Sequence, residues 1–246
     1  MFYCDLDLSE RAKGIPSDST IPRFMMADNI GILCLAKPSV SRYGLGKSFV
    51  EVIDTMSQPA IPSMDQAWEL LNRYTKNPSL IKHALAVSAV MEALAKRYHE
   101  DAALYRQVGL LHDFDYEAFP EIGAHTVEGG KILAREGFPN IVIEAIQSHV
   151  TENHIERDTW LKKSIYAADE LTGFIVAVTL VRPTKSLSEV TPKSVKKKLK
   201  DKSFAKGVNR DDVYQGAMGL DMELDELIQF IVKALIPHAE EIDLNP

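Results

Sequence analysis

The chain has 246 residues, 46% of them hydrophobic and 26% charged, which is ordinary for a soluble globular protein and enough for one domain with a full core. The net charge of −7 argues against general nucleic-acid binding, which usually shows a basic excess. The two cysteines, Cys4 and Cys34, form no CxxC pair, so neither a disulfide framework nor a zinc ribbon is indicated.

The N-terminal MFYCDLDLSERAKG has acids where a signal peptide carries positive charge ahead of an apolar block. No run approaches the roughly 18 apolar residues of a membrane span. The apolar stretch from Phe174 to Val181 is too short and stops at Arg182-Pro183. A cytoplasmic protein with no membrane partner is expected. Residues 1–60 scatter Ser, Pro and Gly without a sustained helical period and read as a poorly structured extension. Within them Asn29 to Ala36 has the composition of a short strand. An alternative is a natural start near Met56 or Met64.

Helical signals take over from Ser63, and residues 61–240 are expected to form one helical domain. Ser63 with Gln66 three residues later has the pattern of a capping box ahead of Trp68, Leu70, Leu71 and Tyr74. Asn77-Pro78 reads as a cap and first helical residue. The helix that follows carries Leu80, Ile81, Ala84, Leu85, Val87, Met91 and Leu94 at a period near 3.6 residues. A third helix covers roughly Asp101 to His112. A fourth runs from about Thr126 to Glu136 and stops near Gly137. Pro139-Asn140 opens a fifth, and a sixth begins near Asp158 and passes through Tyr166 and Asp169. Thr191-Pro192 starts a lysine-rich segment, and MELDELIQFIVKALI is an amphipathic helix near the end. With no strand-turn-strand pattern after residue 60, the expected fold class is all-α.

Most of the chemistry lies in histidines and aspartates spread over these helices: His83, the doublet His112-Asp113 in GLLHDFD, His125, His149 in AIQSHV and Asp169 in YAADELTG. Each sits in or beside a strongly apolar segment, where a polar group needs a partner. Imidazole with carboxylate suits Zn, Fe, Mn, Co or Ni, and harder cations such as Mg as carboxylates increase. Neighbours on a helix point about 100° apart, so His112 and Asp113 can reach one site only from a helix end. Two divalent ions held by two carboxylates and neutral imidazoles leave a net charge of +2, which attracts phosphate. His99, His154 and His238 are read as ordinary surface or core residues.

This order resembles the HD superfamily of metal-dependent phosphohydrolases over about residues 64–182. His83, His112-Asp113 and Asp169 match its H…HD…D pattern, and His125 and His149 match the subset with two further histidines. The resemblance implies a compact helical bundle. The four core positions would bind one divalent ion, and the added histidines would help to hold a second. It also implies hydrolysis of a phosphomonoester or phosphodiester, often in a nucleotide, through metal-activated water, with Asp113 and His112 as the catalytic residues. Phe114-Asp115 replaces the Ile-Gly of one variant and no GYP motif follows, so a cyclic dinucleotide is not expected. The spacing is similar to that of small stand-alone HD hydrolases. Two alternatives stay open: a di-iron oxygenase on the same ligands, and a non-catalytic ligand-binding module.

Three further features carry expectations. Asp115, Glu117 or Glu152, close to ligand positions, is expected to serve as general base or as partner to a ligating histidine, unless all three are exposed loop carboxylates. Arg182 and Lys185 are weak candidates for substrate phosphate. The lysines of 193–206 form either a solvated face or a phosphate-attracting rim. The expected partner is a small-molecule phosphate ester and not a nucleic-acid polymer, with oligomeric state left open. Gly129-Gly130 lacks a phosphate-loop pattern and is given no nucleotide role.

Overall fold

The structure, a computed structural model, describes residues 61–121 and 123–246. The extension expected at 1–60, its short strand and the start at Met56 lie outside these residues. Local cap chemistry places the first helices. In α1 (Met64–Tyr74) both halves of the capping box form: Gln66 N–H donates to Ser63 Oγ, and Ser63 N–H donates to Gln66 Oε1. Asn77 caps α2 (Pro78–Tyr98), and Asp101 caps α3 (Ala102–Leu111) through the N–H groups of Ala103 and Leu104. The helices α4 (Val127–Arg135) and α5 (Asn140–Ser148) follow, separated by Gly137 at φ 86°. Thr159 caps α6 (Trp160–Leu180), and Thr191 forms a second capping box on α7 (Pro192–Leu199). The chain closes with α8 (Arg210–Gly219) and α9 (Leu224–Leu235). Among the described residues the only β pairing is an isolated bridge between Ser186 and Asn245.

The longest helices, α2 and α6, have 21 residues each and supply the centre of the core: Val87, Val90, Met91 and Leu94 against Leu171, Phe174, Ile175 and Val178. The stretch 174–181 is thus the last turns of α6 with its C-cap, in which Phe174, Ile175 and Val178 are buried while Leu180 and Val181 are exposed. The core also takes in Ile242 and Leu244, beyond the boundary expected at 240. The helix α8 had no clear periodic signal. Its sequence carries Gly216, where a Cβ would lie 2.7 Å from the Ala167 backbone of α6, so close packing chose the residue and weakened the pattern.

The close approach that matters most to the site is between α3 and α2. A Cβ on Gly109 would lie 2.8 Å from Ser88 Cα, which is backbone and cannot rotate away. Gly109→Ala should therefore destabilise by about 1–3 kcal/mol, as overpacking does. The expected readout is a thermal midpoint lower by several degrees. An unchanged midpoint would mean that the two helices part without cost.

Candidate metal centre

The six histidine and aspartate positions converge from five directions. His83 comes from the second turn of α2 and Asp169 from the middle of α6. His112 and His149 are the residues at which α3 and α5 end, and His125 stands two residues before α4. Asp113 lies one step past the end of α3, in the turn where adjacent side chains can face one point. Two ligand groups result, His83–His112–Asp113–Asp169 and Asp113–His125–His149, each with donor atoms within 4.8 Å of one another. Asp113 belongs to both.

The distances suit cations. His112 Nε2 lies 3.2 Å from His83 Nε2, 3.4 Å from Asp169 Oδ1 and 3.5 Å from Asp113 Oδ2. In the second group His125 Nε2 and His149 Nε2 lie 3.0 and 3.4 Å from Asp113 Oδ1. Metal–nitrogen bonds of about 2.1 Å would separate neighbouring ligands by about 3.0–3.4 Å. Asp113 Oδ1 and His125 Nε2 are both buried without a properly oriented hydrogen bond, although 3.0 Å apart. Two lone-pair-bearing atoms aimed at shared space and left unpaired are what a cation site requires. The residues present therefore fit one or two divalent ions.

Backbone and carboxylate acceptors orient three of the imidazoles. His112 Nδ1 lies 2.8 Å from Gly109 O, His149 Nδ1 2.6 Å from Ile146 O and His125 Nδ1 3.0 Å from Asp115 Oδ1. With Nδ1 donating in each, Nε2 is left as the inward lone pair. Asp115 does two things at once. Its Oδ2 accepts the N–H groups of Thr126 and Gly129, capping α4 where Thr126 (φ 61°) does not cap itself. Gly129 is small for this reason, since its Cβ would lie 2.6 Å from Asp115 Oδ2. Of the three carboxylates singled out in the sequence, Asp115 is the one that partners a candidate ligand, His125. Glu117 instead accepts the N–H groups of Lys76 and Asn77 at the α1–α2 junction, and Glu152 is exposed. Asp115→Asn should weaken binding at the His125 side by about 10–100-fold, the usual cost of losing such a support. Titration of the chelator-treated protein with Mn or Co would show it as one weakened site beside one unchanged site.

The buried charges shape each other. Burial opposes a proton on His112, but the carboxylates of Asp113 and Asp169 outweigh it and push its pKa up to about 9. Burial also opposes a proton on His125, which Asp113 and Asp115 push up to about 10. Burial would raise the Asp113 and Asp169 carboxyls, yet the facing histidines hold both well below the usual carboxylate range. His112 is fully buried, whereas the side chains of His83 and Asp169 are 17% and 19% exposed. The water-facing edge of the centre therefore lies at His83 and Asp169.

The segment carrying His149 is braced by residues that the sequence did not single out. Asn153 donates to Thr126 Oγ1 and to Gln147 O. Arg157 donates to Ser148 O and lies 3.5 Å over the Tyr166 ring, and Tyr166 O–H donates to Asp212 on α8. No periodicity links these positions, so only packing could reveal them. Other candidates stay away from the centre. Arg182 and Lys185 follow the end of α6, and Leu180 is already about 16 Å along the helix from Asp169 at 1.5 Å per residue. Arg182 faces Glu189 at 3.7 Å. The structure thus does not bring this pair to the ligands. His99 and His154 occupy left-handed helix ends, and His238 lies 3.3 Å from Glu241.

The described residues form an all-α bundle with a shared His/Asp cluster able to hold a metal ion. Residues 80–173 match the family model of the HD domain, a span that holds all six candidate ligands, and the chain carries an HD domain. Among curated relatives, a ribonuclease Y from Thermus thermophilus is 34% identical over 102 residues, 41% of this chain and 17% of that one. A tRNA (cytidine(56)-2'-O)-methyltransferase from Thermoplasma volcanium is 32% identical over 90 residues, 37% of this chain and 26% of that one. These matches span about a quarter or less of those relatives' lengths. Among solved structures, the HD domain of the L. monocytogenes phosphodiesterase PgpH aligns with a TM-score of 0.41 and 16% identity, covering 71% of this chain and 98% of that one.

The relatives overturn one expectation. A ribonuclease and a tRNA methyltransferase are by name enzymes of RNA, so exclusion of a nucleic-acid polymer as partner does not stand. The physical reason is that net charge is a sum over the whole surface. A chain of −7 can still present a local basic face. No helix of the described residues is long and apolar enough to cross a membrane.

Proposed function

We propose that this chain is a metal-dependent phosphohydrolase that cleaves phosphodiester bonds in RNA or in nucleotides. The observation that carries the reading is Asp113, one largely buried carboxylate shared by two ligand groups, with its Oδ1 fully enclosed. His83, His112, Asp113 and Asp169 would hold one ion, and Asp113, His125 and His149 would hold a second. Ions bound there supply Lewis-acid stabilisation of charge on phosphate oxygens and ease the ionisation of water. The residues themselves set the geometry. His112 closes the floor, and Asp113 joins the two halves and orients the attacking water. The open edge at His83 and Asp169 admits the phosphate. The relatives named ribonuclease Y support an RNA strand as the substrate class to try first.

The test is metal analysis of the purified protein, followed by assay of single-stranded RNA, nucleotides and phosphomonoesters with added Mn, Co, Zn, Mg or Fe. The expected result is ester cleavage that needs a divalent ion and no dioxygen, lost in His112→Ala. Turnover retained in a metal-loaded His112→Ala variant would refute the assignment. Dioxygen consumption by a two-iron form, without phosphate-ester cleavage, would transfer the site to oxidation.

A further inference from the structure

The segment 193–210 holds seven lysines and one arginine against a single carboxylate, Asp201, a net charge of +7 in a chain of net −7. The structure sorts these cations by use. Lys196 pairs with Asp225 at 2.6 Å, and Lys198 sits 4.5 Å over the Phe204 ring. Arg210 is internal scaffolding: its guanidinium donates to the carbonyls of Asp201, Phe204, Ala205 and Val208. Lys193, Lys197, Lys200, Lys202 and Lys206 remain, all exposed and without an ion pair among the described residues. Val195 and Leu199 bury the inner face of α7, so Lys193, Lys197 and Lys200 follow one another at i, i+4 and i+7 along its outer face. Lys202 and Lys206 ride on the loop that Arg210 holds in shape.

This is therefore a built basic face and not a loose charge run. One guanidinium that gathers four carbonyls, with Ala205 held at φ 44°, fixes the loop before any partner arrives. A groove beside it is lined by Lys200, Lys202, Lys206, Asn209 and Tyr214. Tyr214 stands on α8 with 46% of its surface exposed, so its ring is accessible from the groove. The same helix is tied toward the metal centre through Asp212, Tyr166, Arg157 and Ser148, the residue before His149.

We infer that this groove binds the backbone of a single-stranded nucleic acid, with Lys200, Lys202 and Lys206 neutralising phosphates and Tyr214 stacking on a base. Lysines tracking the backbone and an aromatic ring offered to a base form the common recipe for single strands. A membrane surface would want exposed apolar side chains beside the lysines; the groove's Leu199 and Val208 are buried, and what stands free beside the lysines is Asn209, Asp211 and a tyrosine. The inference concerns binding and stands whether or not the chain cleaves what it holds.

The experiment is fluorescence polarisation of the full chain with a labelled single-stranded RNA of a dozen or so nucleotides, across a salt series, with strand integrity checked on a gel. The native chain should bind. The triple variant Lys200→Gln, Lys202→Gln, Lys206→Gln should bind at least tenfold more weakly. Its slope of log affinity against log salt should be shallower by about 2, from roughly 0.7 per phosphate contact. Tyr214→Ala should weaken binding by about fivefold or more, as loss of one stacked base does, while Tyr214→Phe keeps it. Undiminished binding by the triple variant would overturn the inference. So would native affinity in Tyr214→Ala, or tighter binding to phosphatidylserine vesicles than to RNA. Hydrolysis lost in His112→Ala with RNA binding intact would separate this surface from the catalytic proposal.

Discussion

Asp113→Ala is expected to abolish metal binding in both halves of the centre, while His83→Ala and His149→Ala each abolish it in one. Asp113 supplies Oδ2 to the group around His112 and Oδ1 to the group around His125 and His149. Its removal takes a ligand from each group and the one negative charge the second group has. The histidine variants leave the other group complete. Metal content per chain after dialysis should fall to near zero in the first case and to about half in the other two. Hydrolysis should drop by about a thousandfold or more in Asp113→Ala, the scale of losing a stabiliser of transition-state charge. The fold should survive, because the buried apolar core of α2, α3 and α6 does not include Asp113. A variant that unfolds is recognised by circular dichroism, and Asp113→Asn, close in shape, then serves in its place. Two ions retained in a folded Asp113 variant would remove the shared-carboxylate arrangement.

The second large effect is a pH dependence that metal reverses. In the metal-free protein His112 and His125 are raised from an ordinary value near 6.5 to about 9 and about 10, because buried carboxylates face them. A group raised in the folded state favours folding most below its unfolded pKa. That contribution is fully present below about pH 6.5 and disappears as pH climbs through 9 and 10. Asp113 and Asp169 behave oppositely: held low, they favour folding above their ordinary value near 3.8 and lose that effect as acid protonates them. The chelated protein should therefore be most stable between about pH 4 and 6.5 and should soften above it. A divalent ion displaces the two imidazole protons, so loading near pH 7 should release about two protons per pair of ions. Apparent affinity should rise with pH until about 9–10. Thermal midpoints with and without metal across pH, and calorimetry in buffers of different ionisation enthalpy, measure both. A stabilisation by metal that shrinks as pH rises from 6.5 to 9 would contradict the arrangement.

The helix starts at Ser63, Asn77 and Thr191 were legible because a cap acts within three or four residues of its own helix, whereas the third and sixth helices were placed only roughly, at Asp101 and near Asp158, and the structure makes Asp101 and Thr159 their caps. The start of α4 was legible only in part. The sequence placed its start at about Thr126, but the carboxylate that caps it is Asp115, eleven residues upstream. The helix α8 escaped because it packs by absence of side chain, through Gly216 on Ala167, and a glycine at a close approach leaves no apolar period.

The chain of residues alone therefore determined the all-helical class and the cap-marked helices, and the order of its histidines and aspartates, through the family resemblance, offered the six candidate ligands. Only the tertiary structure decided that Asp113 joins two ligand groups and that Asp115, not Glu117 or Glu152, supports His125. It also decided that Arg182 and Lys185 lie beyond the reach of the centre. The same holds for the lysines: composition counts them, but only packing around Val195, Leu199 and Arg210 leaves five of them exposed, three of these around one groove. Local torsions and caps act over a turn of helix. Convergence of distant side chains is a property of how helices pack, and packing depends on the whole core at once.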